Sequence, residues 1–168
     1  NSNWLTSALI LERDPQRRQA AVAKILHSLD NFVGPYPQDG GCDEGPGYWG
    51  RAGASLLDCL ELLHSATGGA LDVYSDPLVR DIGRFIYRVQ IEGPYFVNFA
   101  DASAVVSPPP GVVFRYGQRI GDRDMMALGA WLAEDQDVLH PAAQRMGSLG
   151  RILPVMFSLD EIAQVEPR

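Results

Sequence analysis

The sequence predicts an all-α fold of antiparallel helical hairpins forming a partial (α/α) toroid. Three observations lead there: Asp-Pro helix starts recur at Asp14-Pro15 and Asp76-Pro77, apolar residues recur at helical spacing, and strand-like alternation is confined to one short stretch. The 168 residues are 46% hydrophobic, enough for a single helical domain with a core over residues 1–168. No fixed repeat period joins the hairpins, which argues against a regular solenoid.

The first hairpin pairs a short stripe, Trp4, Ala8 and Leu11 or Leu5, Leu9 and Glu12, with a helix capped by Asp14. The inner face of that second helix is Val22, Ile25, Leu26 and Leu29. Farther on, Trp49, Ala52, Leu56, Leu60 and Leu63 mark one face of a long helix ending near Gly68-Gly69, where Gly50, Gly53 and Ala54 admit a close neighbour. Asp76-Pro77 opens its partner, with Leu78, Ile82, Phe85, Ile86 and Val89 facing inward. A loop is expected from Glu92 to Pro110, with a short strand allowed where Tyr95, Val97 and Phe99 alternate. The run GVVFRYGQRIG fits helix or strand by pattern, and helix suits the array; Asp122 then caps a helix containing Met125, Met126, Gly129 and Leu132. A last helix follows His140-Pro141, breaks near Pro154 and restarts at a capping box from Ser158 to Glu161.

Charge narrows the function. Fourteen basic and 21 acidic side chains give a net charge of -7, with the basic groups scattered, so a nucleic-acid surface is disfavoured. The same field opposes a polyanionic sugar, whose binding would need local positive groups. Apolar runs no longer than Ala8 to Leu11 leave no membrane span. Cys42 and Cys59 have no zinc or redox spacing and leave one bridge or two thiols open. With no calcium or nucleotide motif either, no cofactor or metal is expected. His27, His64 and His140 read as structural or surface residues. The chain opens at Asn1 without a methionine, so a preceding signal peptide or larger segment is expected.

One stretch stands apart: YPQDGGCDEGPGYWGRAG, Tyr36 to Gly53. On one reading it starts a helix, with Asp43 or Glu44 capping free amides, Pro46 in the first turn, glycines supplying turns and two aromatics packed beneath. On the other, Tyr48 and Arg51 share one side of a helix start, and a guanidinium beside a phenol favours phenolate and helps a tyrosine pass a proton.

The run DGGCDEGPGYWGRAGASLLDCLELL, Asp39 to Leu63, resembles the segment that begins a central helix in heparinase II/III-like polysaccharide lyases. NSNWLTSALILERDPQRR, Asn1 to Arg18, and GPYFVNFADA, Gly93 to Ala102, are similar to further stretches of that family. The resemblance implies an (α/α) toroid followed by a β-sandwich, with a cleft that binds acidic polysaccharide and cleaves uronate chains by β-elimination. The uronate carboxylate is neutralised, the C5 proton is removed and the leaving oxygen on C4 is protonated. By motif position the resemblance makes Tyr48 the catalytic tyrosine. Glu44 would touch substrate or, protonated, its carboxylate; Arg51 would orient the tyrosine or bind the uronate. Asn98 and Asp101 would meet sugar hydroxyls, unless they stabilise turns. Trp49 would stack on a sugar ring, or pack in the core as its alignment with Leu56, Leu60 and Leu63 suggests. The carboxylate-neutralising Asn or His, the sandwich and its histidine would lie outside residues 1–168, so little activity is expected of this chain alone. Its partners would be the remaining domains and an acidic polysaccharide.

Two other classes fit the sequence. One is a non-catalytic helical module that holds carbohydrate or another partner. The other is a glycoside hydrolase using Asp43 and Glu44, although neighbours in one loop suit poorly the roughly 6.5–9.5 Å separation of inverting carboxylates.

Overall fold

In the computed structural model, residues 1–139 and 149–167 are described. They form helices α1 (Ser2–Leu11), α2 (Pro15–Val33), α3 (Pro46–Trp49), α4 (Gly53–Ala66), α5 (Pro77–Arg88), α6 (Pro110–Ile120), α7 (Arg123–Asp135) and α8 (Leu149–Ala163). Strands β1 (Gln90–Glu92) and β2 (Tyr95–Phe96) pair antiparallel between α5 and α6. The mostly helical character expected from the sequence is therefore present. No helix of the described residues is long and apolar enough to cross a membrane.

The starts form for the expected reason. Asp14 Oδ1 accepts from the Gln16 and Arg17 amides at 2.8 and 3.2 Å, and Asp76 Oδ1 accepts from Leu78 and Val79 at 2.9 and 3.2 Å. Consecutive helices then pack as hairpins, α1 on α2, α4 on α5 and α6 on α7. At the centre lies α6, which also touches α4, α5 and α8. Every residue from Pro110 to Gly117 is buried, so only Gln118 and Arg119 of this helix face outward. Close approach of α7 depends on two glycines. A Cβ on Gly129 would come within 2.6 Å of the Phe114 amide nitrogen, and one on Gly117 within 2.8 Å of the Met126 nitrogen. On the α5 side, the Tyr116 hydroxyl donates to the Val79 carbonyl at 2.8 Å.

Several boundaries differ from expectation. The long helix from Trp49 is interrupted: α3 has only four residues, Ala52 leaves helical geometry, and α4 begins at Gly53. The loop acids do not cap α3, whose cap residue is Gly45 with φ +86° and no side-chain hydrogen bond. In α1, Leu5 and Ala8 face the core while Trp4 and Leu11 are exposed. Tyr95, Val97 and Phe99 alternate on the exposed side, and Phe96, 1% exposed, is the residue that enters the core. Finally, α8 runs unbroken through Pro154. The Ser158 hydroxyl donates back to the Pro154 carbonyl at 2.9 Å, so Ser158 is an interior residue and caps nothing. The expected start at His140-Pro141 lies outside the described residues. Cys42 and Cys59 are buried free thiols, and burial pushes Cys59 up to about 11.

Asp122 is the cap that also ties distant helices together. Its Oδ1 accepts from the Met125 amide at 3.1 Å, starting α7, while Oδ2 meets Arg84 Nε of α5 at 2.8 Å. Burial alone would raise its pKa, but the Arg84 hydrogen bond, the Met125 amide and the guanidinium charge together hold it below the ordinary carboxylate value. The folded chain thus binds this proton less tightly than the unfolded chain. The stabilisation is fully present above the ordinary carboxylate range and is lost as pH falls through the lowered folded value. Asp122→Asn should cost about 1–2 kcal/mol in urea unfolding at neutral pH, and the gap to the native chain should shrink toward pH 3. A gap that does not change with pH would refute the charge-dependent part.

Candidate functional site at the glycine-rich loop

The loop that opens at Asp39 is fastened to α5 at two points on the same turn. Gly40, with φ +75°, lies so close to the Asp81–Ile82 peptide that a Cβ there would sit 2.1 Å from the Asp81 carbonyl carbon. Only glycine satisfies both the backbone angle and the contact. Nine residues later the Trp49 indole enters the core and donates from Nε1 to the Ile82 carbonyl at 2.7 Å. Its ring lies 6.2 Å from that of Tyr116, and Gly53 leaves the space it fills, since a Cβ there would be 2.5 Å from Nε1. Gly53 is the first residue of α4, and its missing side chain lets that helix start against the indole. At the loop's start, Arg88 adds a 3.4 Å bond to the Asp39 carbonyl while holding Asp81 at 2.8 Å.

A second loop closes over the first. A Cβ on Gly45 would come within 2.6 Å of the Phe99 carbonyl oxygen and 2.8 Å of Ala102 Cβ, and one on Gly47 within 3.6 Å of Ala102 Cα. Gly45 at φ +86° is thus the seat on which residues 99–102 rest. In that second loop Ala100 has φ +49°, a left-handed conformation that costs an alanine about 1 kcal/mol. The Phe99 ring meets Phe85 edge-on at 6.4 Å, which ties the loop to α5 as well. Two stretches about fifty residues apart in sequence therefore form one surface.

The sequence-predicted residues divide on this surface. Tyr48 is half-buried against the core, and its hydroxyl has no hydrogen-bond partner among the described residues. Glu44, Arg51, Asn98 and Asp101 are exposed, and none of their side chains makes a hydrogen bond or ion pair among the described residues. The turn-stabilising alternative for Asn98 and Asp101 thus has no bond to support it. For Trp49 the core-packing alternative holds and the sugar-stacking one is corrected: at 0% exposure, with its one donor used by Ile82, it cannot stack on a sugar. Tyr48 and Arg51 stand at the two ends of one tight turn, the Arg51 amide donating to the Tyr48 carbonyl at 2.8 Å, and no side-chain hydrogen bond joins the pair among the described residues. His64 packs 5.9 Å from Tyr74 and His27 is exposed, both away from the loop, and His140 lies outside the described residues.

Sequence reasoning missed the fastening itself. A positive-φ glycine after an aspartate reads as a turn, and the fit of Gly40 against α5 depends on a backbone forty residues away. The chain matches no protein-family model and no curated protein.

Deleting the indole donor tests the anchor. Trp49→Phe keeps an aromatic ring but removes the bond to Ile82 and leaves a void, and should destabilise the fold by about 2–4 kcal/mol in urea unfolding. A loss below about 0.5 kcal/mol would mean that the indole is not what holds the loop.

Proposed function

We propose that this chain is the helical part of a polysaccharide lyase, a portion of an (α/α) toroid that acts on uronate-containing chains by β-elimination. The observation that carries the reading is the meeting of the two loops. Gly45 and Gly47 seat residues 99–102, so the stretch bearing Glu44, Tyr48 and Arg51 and the stretch bearing Asn98 and Asp101 belong to one exposed surface.

The chemistry assigns each group a task. In β-elimination the C5–H bond breaks, its electron pair forms the C4=C5 double bond, and the C4–O bond breaks with protonation of the departing oxygen. Tyr48, with an unengaged hydroxyl on a backbone fixed by its neighbour Trp49, would take the C5 proton as phenolate and return it as phenol to the departing oxygen. Arg51 supplies local positive charge where the overall field of -7 would repel a uronate. Glu44, Asn98 and Asp101 offer hydrogen bonds to carboxylate or hydroxyls of the sugar. The held backbone beneath them, at Gly40, Gly45 and Trp49, lowers the entropic cost of bringing these groups to the substrate.

A second reading is a carbohydrate-holding module without turnover. It is favoured by the exposed rings of Tyr95 and Phe99 beside the loop, an aromatic edge suited to the apolar face of a sugar.

The two readings part on turnover. Heparan sulfate, hyaluronan and alginate are incubated with the longest form of the protein that its reading frame encodes, and the ultraviolet absorbance of unsaturated uronate is followed. Tyr48→Phe should lower kcat by about 10²–10⁴-fold with KM little changed. Undiminished turnover would remove Tyr48 from the mechanism, and glycan binding with no unsaturated product in the native protein would establish the module instead.

A further inference from the structure

Away from the Tyr48 loop, α1, α4, α6 and α8 enclose a cavity of about 810 Å³. None of the six residues assigned above lines it. Its inner wall holds Arg115, the one charged side chain inside the buried run of α6, which is only 4% exposed. Arg115 Nε lies 3.2 and 3.1 Å from the two oxygens of Glu61, and Nη2 lies 3.0 Å from Glu61 Oε2. That last contact is an ion pair outside hydrogen-bonding geometry, because Nη2 still lacks an acceptor, as does the buried Nη1. Arg119, one turn later, approaches the same carboxylate at 3.6 Å, its guanidinium 5.5 Å from the Tyr74 ring centre. One carboxylate thus serves two guanidiniums. A guanidinium does not shed its proton, so the buried donors of Arg115 call for an acceptor that the described residues do not supply.

The cavity's other cation is already satisfied. Arg151 is held by Asp58 at 2.8 Å, the Gly50 carbonyl at 3.0 Å and Ser55 at 3.3 Å. Around the mouth the chemistry changes: Ile10, Leu153 and Phe157 are exposed there, Phe157 by 84%, and Leu62 continues the apolar wall inward. A pocket with a cationic end and an apolar mouth fits a ligand with one charged end and a hydrocarbon body. Asp58, Glu61 and Glu161 in the same wall disfavour a dianion.

We propose that this cavity binds a small amphiphilic carboxylate. The carboxylate meets Arg119, at the end of the cavity behind which Arg115 is buried, and the hydrocarbon lies between Ile10, Leu153 and Phe157. The planar fork of a guanidinium matches a carboxylate's paired oxygens, and the apolar mouth has no counterpart in a sugar acid. This site is independent of Tyr48 and of the lyase reading.

Calorimetric titration of the full chain with octanoate, octanol and inorganic phosphate tests it. Octanoate should bind saturably, octanol at least tenfold more weakly, and phosphate not at all. Arg119→Gln changes a partly exposed residue and should weaken octanoate at least tenfold while leaving octanol unchanged, whereas Phe157→Ser should weaken both. Tyr48→Phe should leave octanoate binding as it is. Equal binding of octanoate and octanol would reduce the cavity to a plain apolar cleft. Preferential binding of phosphate, or no saturable octanoate binding by a chain with native circular dichroism, would overturn the proposal.

Discussion

One turn of α5, at Asp81 and Ile82, holds the glycine-rich loop at both ends. Gly40 lies against its backbone and Trp49 donates to its carbonyl, so the residues between them span a fixed gap. The consequences extend both ways along the chain. Forward, the indole takes the space in front of Gly53, where α4 starts. Backward, the loop leaves Gly45 in a left-handed conformation where the second loop can rest on it. Tyr48 precedes the anchoring tryptophan by one residue, so its backbone inherits the precision of a buried hydrogen bond.

The same α5 carries the rest of the architecture. Tyr116 of α6 donates to Val79, and Arg84 meets Asp122 at the head of α7, so the central helix and its hairpin partner are referenced to the helix that holds the loop. A surface site on a loop is usually imprecise because its backbone is free to move. Here the loop is short between its fixed points and lies on a packed helix. The strained Ala100 is affordable only where surrounding contacts over-determine the backbone.

Helix starts governed by a local signal were legible in the sequence. Asp14, Asp76 and Asp122 each cap a helix through a side chain that accepts from an amide two or three residues on, an interaction contained within one short peptide. What distance decides was not legible. Trp49 matched the spacing of Leu56, Leu60 and Leu63, yet the helix breaks at Ala52 and the indole is received by Ile82 and Gly53, which its own stripe does not include. Pro154 looked like an interruption because proline removes a donor, but α8 absorbs it within one continuous helix. Arg115 was hidden by its company: in an apolar helix an arginine suggests a surface position, and only packing shows that it points inward to Glu61. At the site, motif position named residues on two loops, and it is Gly45 and Gly47 that bring those loops together, a contact across more than fifty residues that no local spacing displays.

The most direct test of the site's placement is amide chemical-shift mapping of the chain with a uronate oligosaccharide. Shifts should concentrate at Glu44, Tyr48 and Arg51 and from Asn98 to Asp101, while the Trp49 indole N–H stays unmoved and protected from hydrogen exchange. Shifts centred elsewhere, or a Trp49 indole proton that exchanges freely in the native protein, would contradict a tyrosine held at the surface by a buried anchor.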